Sequence, residues 1–226
     1  MDPIAQLALA TAAFLAAHYV ASTPMRAGLV KAVGEPAYLG AYSLAAFAAL
    51  GWMIVAYRQA PFAPLWQVPA LRLLPLVLMP FACILFACGL LSRNPSAVRQ
   101  EGALKSAEPA RGILRVTRHP MMWAFALWSA AHVLARGDAA SLLFFGGFLL
   151  LALSGTALID ARKARTLGED WKRFANATSN LPFRAILEGR NRFDLAEIGW
   201  SKIAAGLALY AALLALHSWL FGVRPY

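Results

Sequence analysis

Long apolar runs separated by short polar connections dominate this chain. A hydrocarbon core of about 30 Å requires about 20 apolar residues in helical conformation. Six runs approach or reach that length: Pro3–Ser22, Tyr38–Tyr57, Leu71–Leu91, Pro120–Ala135, Ser141–Ile159 and Ile198–Phe221. The pattern predicts an all-α polytopic membrane bundle of about six transmembrane helices, with the short fourth run and the fifth forming a tight hairpin. We expect residues 1–226 to form a single integral membrane domain.

The composition and the distribution of charge agree with this architecture. Hydrophobic residues make up 60% of the chain and charged residues 14%, against roughly 45–50% and about 25% in a soluble domain. Of the 21 lysines and arginines, 17 fall in the first, third and fifth connections. Because cations mark cytoplasmic connections, both termini are predicted to lie on the outer side. The net charge of +10 does not indicate nucleic acid binding, since neither a basic helix face nor an aromatic-basic platform accompanies it.

One cytoplasmic connection carries an amphipathic pattern of its own. Within the segment Asp160–Ala177, apolar side chains recur at helical spacing and charged residues take the other faces; the recurring positions are Leu167, Trp171, Phe174 and Thr178. This pattern is typical of a helix that lies in the membrane interface with its rings among the lipid headgroups. We therefore expect interfacial amphipathic segments on the cytoplasmic face.

All four histidines lie in or at the edge of the apolar runs: His18, His119, His132 and His217. Imidazole in hydrocarbon is costly unless it is bonded, so each either binds a neighbouring helix carbonyl or has a function. A shared cofactor accounts for all four, and haem b suits this setting because its iron takes neutral imidazole. Helix alternation puts His18 and His119 near the cytoplasmic side, and the other two near the outer side. Depth alone therefore favours pairs within those two sets.

Charged residues at the ends of the spans have simple structural interpretations. Pro120 stands at the first turn of the fourth span, where its missing N–H costs nothing. We expect Arg118 to extend to lipid phosphates. Asp138 and Asp160 flank the fifth span and are expected to cap its two ends.

Motifs across nearly the whole chain resemble the NnrU family of bacterial membrane proteins. In the second half they are Gly112–Pro120, Trp128, Ala131-His132, Gly137-Asp138, Asp160-Ala-Arg162, Gly168–Trp171, Thr178-Ser179, Pro182-Phe183 and Glu188-Gly-Arg190. Upstream they are His18, Ser22, Arg26, Gly34-Glu35 and Leu65–Val68. The resemblance implies a location in the bacterial inner membrane.

That family is similar to plant 15-cis-zeta-carotene isomerases, which are haem b enzymes that convert a cis double bond of a polyene to trans. The resemblance implies haem b held by His18 and His132, with His119 and His217 as alternates. It also implies isomerase or redox chemistry on an apolar, carotenoid-like substrate reached from the lipid bilayer, with a redox partner. NnrU proteins are associated with nitrite and nitric oxide reduction, so a non-catalytic accessory protein of denitrification is the second hypothesis.

A more distant similarity is to membrane methyltransferases of the isoprenylcysteine type, which carry Arg-His-Pro-x-Tyr, paired glutamates and Gly-x-x-Tyr-x-x-Tyr. In this chain Met122 replaces the first tyrosine and Ile159-Asp160 the glutamate pair, while Trp171 and Phe174 replace the later tyrosines. The spacing of that scaffold survives, but the polar residues for S-adenosylmethionine do not. The third hypothesis is that the chain is a relative of these methyltransferases. We expect it to share their architecture but to show no saturable binding of S-adenosylmethionine.

Overall fold

The described residues of the computed structural model, 1–21, 23 and 25–225, form helices joined by mostly short connections. The helices are α1 (Pro3–Val20), α2 (Met25–Val33), α3 (Glu35–Gln59), α4 (Leu74–Leu91), α5 (Ile113–Val116), α6 (Pro120–Arg136), α7 (Ala139–Ala177), α8 (Arg184–Leu187), α9 (Leu195–Ile198) and α10 (Trp200–Phe221). A 3₁₀ turn, Pro69–Leu73, leads directly into α4. The predicted all-α fold is confirmed.

Five helices in the described part of the chain are long and apolar enough to cross a membrane: α1, α3, α4 with its preceding turn, α7 and α10. The predicted fourth span is also a helix, α6, but its 17 residues give a length of only about 26 Å. The predicted end of the first run, Ser22, lies outside the described residues. The six predicted runs therefore correspond to five helices of spanning length and one shorter helix.

The long helices pack as a series of neighbours in the order α10, α4, α6, α7, α1 and α3. Two glycines mark the closest approaches in this series. A Cβ on Gly206 of α10 would lie 2.5 Å from the Ile84 Cα of α4, and one on Gly147 of α7 would lie 2.6 Å from the Thr11 Cγ2 of α1. Small residues at such positions let helix backbones approach, which is how helices associate in an apolar solvent.

One end of the bundle is built around the α6–α7 hairpin. Gly137 ends α6 in the left-handed conformation, and its carbonyl accepts hydrogen bonds from the backbone N–H groups of Leu65 and Trp66. Asp138 begins α7 and accepts hydrogen bonds from the backbone N–H and the hydroxyl of Ser141, at 3.0 and 2.6 Å. The prediction that Asp138 caps this helix is confirmed.

The opposite end gathers the cation-rich third and fifth connections into a polar layer. Arg115 donates to Glu197 at 2.8 Å and to Glu108 at 2.5 Å, while Lys163 donates to Glu101 at 2.5 Å. The hydrogen bonds from Arg115, together with the N–H of Gly112, lower the pKa of Glu197 from its usual 4.5 to about 2. Several charges of these two connections therefore bind one another within the protein.

The expected interfacial position of Trp171 and Phe174 is wrong. Helix α7 continues beyond the predicted span and turns at Gly168, where φ is +54°. Trp171 and Phe174 are 2% and 1% exposed and pack with Cys88, Leu114 and other buried residues in an apolar core. Protein side chains rather than lipid headgroups cover this amphipathic face.

The short helix α2 fits the description of an interfacial segment better. Every side chain of α2 is exposed or half-buried. Met25, Leu29 and Val33 are exposed at positions i, i+4 and i+8, so they share one face of the helix. Arg26 and Lys31 supply its cations. An apolar face with flanking cations is the pattern of a helix that lies along a membrane surface.

Candidate functional site

His18 stands near the end of α1 and borders an open groove between α1 and α3. Its Nδ1 is 2.7 Å from the carbonyl oxygen of Phe14. Because a carbonyl only accepts, Nδ1 carries the proton and Nε2 keeps a free lone pair. The groove has a volume of about 240 Å³, and its other lining residues are Phe14, Tyr42, Ser43, Ala46, Phe47 and Leu50.

His132 has the same local arrangement near the end of α6. Its Nδ1 is 2.7 Å from the carbonyl oxygen of Trp128, one turn earlier, so its Nε2 is also the unprotonated nitrogen. Its ring stacks on Phe145 of α7 at a centroid distance of 5.0 Å. The two histidines that the family resemblance singles out therefore share one tautomer, which is the form that binds a metal through Nε2.

A series of aromatic rings separates these two histidines. The ring centroids of His18 and Phe14 are 4.4 Å apart, those of Phe14 and Phe148 are 4.9 Å apart, and those of Phe148 and Trp128 are 5.1 Å apart. The ring of Trp128 is 5.7 Å from that of His132. The structure thus places the two imidazoles at opposite ends of a series of tilted and edge-on aromatic rings.

Helix α7 gives the separation in depth. His132 stacks on Phe145, whereas Tyr19, next to His18, hydrogen bonds Ser154 at 2.7 Å. Phe145 and Ser154 are nine positions apart on α7, and His18 comes one position before Tyr19. Measured along the axis of α7, the two histidines are therefore separated by about eight helical positions, or about 12 Å. The depth argument from the sequence agrees with this separation, while the identity of the axial ligands stays a prediction.

The other two histidines have different partners. His119, which is 2% exposed, donates from Nε2 to Asp160 at 2.7 Å, so this nitrogen carries the proton. His217 donates from Nδ1 to the carbonyl of Val223 at 2.9 Å and contacts the ring of Phe221. The depth argument favours two pairs, His18 with His119 and His132 with His217. In neither pair does one histidine hydrogen bond to the other.

Arg118, His119 and Asp160 form one cluster at the cation-rich end. Arg118 donates to both oxygens of Asp160, from Nε at 2.9 Å and from Nη2 at 2.5 Å. Two sequence-based expectations are therefore wrong. Arg118 is 13% exposed and binds a carboxylate instead of lipid phosphate, and Asp160 lies inside α7 instead of capping a helix end.

The backbone around this cluster is held from the fifth connection. Arg118 N–H donates to the carbonyl of Ser179 at 2.9 Å, and Trp123 Nε1 donates to the carbonyl of Asn180 at 2.8 Å. Asn180 in turn donates to the hydroxyl of Thr156 at 2.9 Å. Sequence reasoning missed these residues, because their only signal was the family motif around Thr178-Ser179.

Sequence reasoning also did not identify Tyr42 and Phe47 as groove residues, nor Phe14, Phe148 and Trp128 as the rings between the two histidines. They lie within uniformly apolar runs, where hydropathy does not separate lining positions from lipid-facing ones. Across residues 1–21, 23 and 25–225, no group of three or more His, Cys, Asp or Glu side chains is arranged to hold a metal ion. The candidate functional site is the groove beside His18, together with the series of aromatic rings that leads from His18 to His132.

These features define a class: a helical protein whose described residues include five helices of membrane-spanning length and an apolar groove beside a histidine. The NnrU protein family matches residues 6–225, and the chain belongs to that family.

Among curated proteins, the chain is similar to chloroplastic 15-cis-zeta-carotene isomerases. It is 39% identical to the Arabidopsis thaliana protein over 79 residues, which are 35% of this chain and 22% of the relative. It is 35% identical to the Zea mays protein over 81 residues, 36% of this chain and 22% of that relative. The aligned part is thus about a fifth of each relative's length. No solved structure matches the chain.

Proposed function

We propose that this protein is an integral membrane isomerase that changes the geometry of a double bond in an apolar, carotenoid-like polyene. The observation that carries the proposal is the apolar groove beside His18, in a chain similar to proteins named as isomerases of a carotene. The groove opens between two helices of spanning length, so a lipid-soluble substrate would reach it from within the bilayer.

The distribution of charge supports insertion in the bacterial inner membrane with both termini in the periplasm. The third and fifth connections, which hold most of the cations, meet at one end of the bundle through pairs such as Arg115–Glu197 and Lys163–Glu101. The α6–α7 hairpin and the connection after α3 meet at the other end. Cations concentrated at one end are the pattern that orients helices in a membrane.

The groove residues suit a hydrocarbon ligand. Phe14, Phe47 and Leu50 offer apolar surface, and long ligands gain affinity mainly from such contacts. His18, Tyr42 and Ser43 are the polar residues that a ligand in the groove would meet. In the proposed reaction these side chains bind the polyene, exclude water from it and orient one double bond against His18.

Haem b is the cofactor that the family resemblance implies, and its two predicted ligands, His18 and His132, fit it in one respect and not in another. Their tautomers are suitable, because each histidine leaves Nε2 free. Their spacing is not, because metal–imidazole bonds of about 2 Å would require the two Nε2 atoms to lie about 4 Å apart. The separation of His18 and His132, filled by Phe14, Phe148 and Trp128, does not fit one iron between them. We therefore derive no step of the reaction through haem.

Absorption spectra of the detergent-purified protein, oxidised and dithionite-reduced, test the cofactor. If His18 and His132 are both axial ligands, the spectrum is low-spin and His18→Ala or His132→Ala each alters it. Because the two rings lie too far apart for one iron, the described arrangement predicts that the two changes do not both alter the spectrum. His119→Ala and His217→Ala test the alternate ligands: His18 with His119, or His132 with His217, should fail together if a depth-derived pair holds the iron. A protein that stays colourless after haem is supplied contradicts haem binding by any of the four histidines.

A pair of variants on α3 tests the isomerase proposal. Ala46 lines the groove, whereas its neighbour Ala45 is exposed and does not. Ala46→Trp should fill most of the groove and reduce polyene isomerisation more than tenfold, whereas Ala45→Trp should leave it unchanged. The assay separates geometric isomers by chromatography after incubating the reconstituted protein with a cis-polyene. Equal activity of both variants would remove the groove as the site, and binding without turnover would favour the non-catalytic accessory role.

A further inference from the structure

A second groove, larger than the first, lies where α4 ends at the cation-rich end of the bundle. Its volume is about 430 Å³, and its main lining residues are Leu90, Leu91, Ser92, Arg93, Arg99 and Gln100. We propose that it binds the phosphate headgroup of an anionic phospholipid, with an acyl chain lying along the end of α4. This inference depends on membrane insertion but not on isomerase activity.

The two arginines of the groove have free guanidinium groups. Within the described part of the chain, neither Arg93 nor Arg99 forms an ion pair, and both residues are exposed. Most other cations of these connections do bind acids: Arg115, Arg118 and Lys163, for example, pair within the protein. Arginine offers a planar set of donors that matches the oxygens of a phosphate. The two unpaired arginines therefore provide complementary charge for a phosphate in the groove.

The side chains next to the arginines suit the remainder of a phospholipid. Leu90 and Leu91, the last residues of α4, are 61% and 56% exposed. They end a helix of spanning length, so they lie where an acyl chain meets its headgroup. Ser92 adds a hydroxyl that accepts a hydrogen bond from Lys202 Nζ at 2.8 Å, which brings a third cation beside the groove. Cations clustered at the end of a transmembrane helix are typical of anionic lipid recognition.

The polar wall of the groove is held in place by the protein. Asn94 N–H donates to Gln100 Oε1 at 2.8 Å, closing a loop that carries Arg99 and directly follows Arg93. Lys163, buried beneath the loop, donates to the carbonyl of Ala97 and to Glu101. The ion pair with Lys163 neutralises Glu101, so the Glu101 carboxylate does not compete with a phosphate for Arg99.

Arg99 itself has an unusual backbone. Its φ of +60° lies in the left-handed region, which is uncommon for residues other than glycine. Strained conformations of this kind persist where the surrounding structure fixes them, often at sites of binding. Here the fixed loop keeps the guanidinium of Arg99 on the same groove as that of Arg93.

Native mass spectrometry of the detergent-purified chain tests the proposal by titration with phosphatidylglycerol. We expect one bound phosphatidylglycerol in the wild type and little retained phosphatidylcholine. The double variant Arg93→Gln/Arg99→Gln should bind phosphatidylglycerol about 25-fold more weakly, because each cation near a membrane surface is worth about fivefold. Arg165→Gln is the matched control, since Arg165 is an exposed, unpaired arginine at the same end that does not line the groove.

Three outcomes of the lipid titration would overturn the proposal. These are equal retention of phosphatidylglycerol by the wild type and the double variant, equal retention of phosphatidylcholine, and no retention of phosphatidylglycerol by the wild type. Displacement by millimolar inorganic phosphate would identify a free-phosphate site instead of a lipid site. Arg93→Lys/Arg99→Lys keeps both charges but loses the planar donor sets, so it should bind phosphatidylglycerol more strongly than the glutamine double variant and less strongly than the wild type, which separates loss of charge from misfolding.

Discussion

Replacing Asp160 with asparagine should be among the most damaging single substitutions at the cation-rich end of the bundle. The carboxylate of Asp160 accepts from Arg118 Nε and Nη2 and from His119 Nε2, at distances between 2.5 and 2.9 Å. Asparagine keeps the shape but has one acceptor oxygen, and its NH₂ group would face a guanidinium donor. The substitution therefore leaves Arg118 partly unsatisfied in a position where its side chain is 13% exposed.

The expected cost follows from burial. Breaking a buried ion pair by changing one partner costs about 3–5 kcal/mol. Because Asp160 is 19% exposed, the lower end, about 3 kcal/mol, applies here. For a chain of this size, that corresponds to a fall in melting midpoint of about 6–12 °C. Asp170→Asn on the same helix is the matched control. Its pair with Arg173 is exposed on both sides and is worth about 0.3–0.5 kcal/mol.

The two buried cysteines supply the assay. Cys83 and Cys88 are 3% and 0% exposed and unpaired, so a thiol-reactive fluorophore labels them only as the bundle opens. The labelling midpoint of purified protein on heating should fall by about 6–12 °C in Asp160→Asn and by less than about 2 °C in Asp170→Asn. Equal midpoints in the two variants would refute the argument that the Arg118–His119–Asp160 cluster stabilises this end.

Three further predictions concern topology, the methyl donor and pH. A reporter fused after Tyr226 should report the periplasm and one near Lys105 the cytoplasm; two cytoplasmic results would exclude the three spans predicted between these positions and with them the six-span arrangement. S-adenosylmethionine should show no saturable binding, because the glutamate pair and the tyrosines of the methyltransferase motifs are replaced in this chain; saturable binding that His119→Ala or Asp160→Ala abolishes would restore the methyltransferase hypothesis. Since the pKa of Glu197 is lowered to about 2, its stabilisation is complete above about pH 4.5 and is lost as pH falls toward 2. Glu197→Gln should therefore reduce the drop in midpoint between pH 5 and pH 3, whereas the exposed control Glu169→Gln should match the wild type.

The sequence was informative where the determining interactions are local. The lengths of the apolar runs predicted the helices, because a spanning helix satisfies its backbone hydrogen bonds internally. The cap at Asp138 followed from its position before an apolar run, since a cap bonds residues only three positions away. The family resemblance selected His18 and His132, and the structure gives both the same tautomer. Their function as ligands stays a prediction.

Only the tertiary structure decided which faces meet. Asp160 is 42 residues from Arg118, and no periodic pattern links them. Trp171 and Phe174 form an amphipathic face whether lipid or protein covers it, and the structure buries them against protein. The rings between His18 and His132 likewise follow from the packing of α1, α6 and α7. In a membrane protein the lipid-facing and protein-facing sides are both apolar, so hydropathy sets the length of each helix while close packing and polar contacts choose its neighbours.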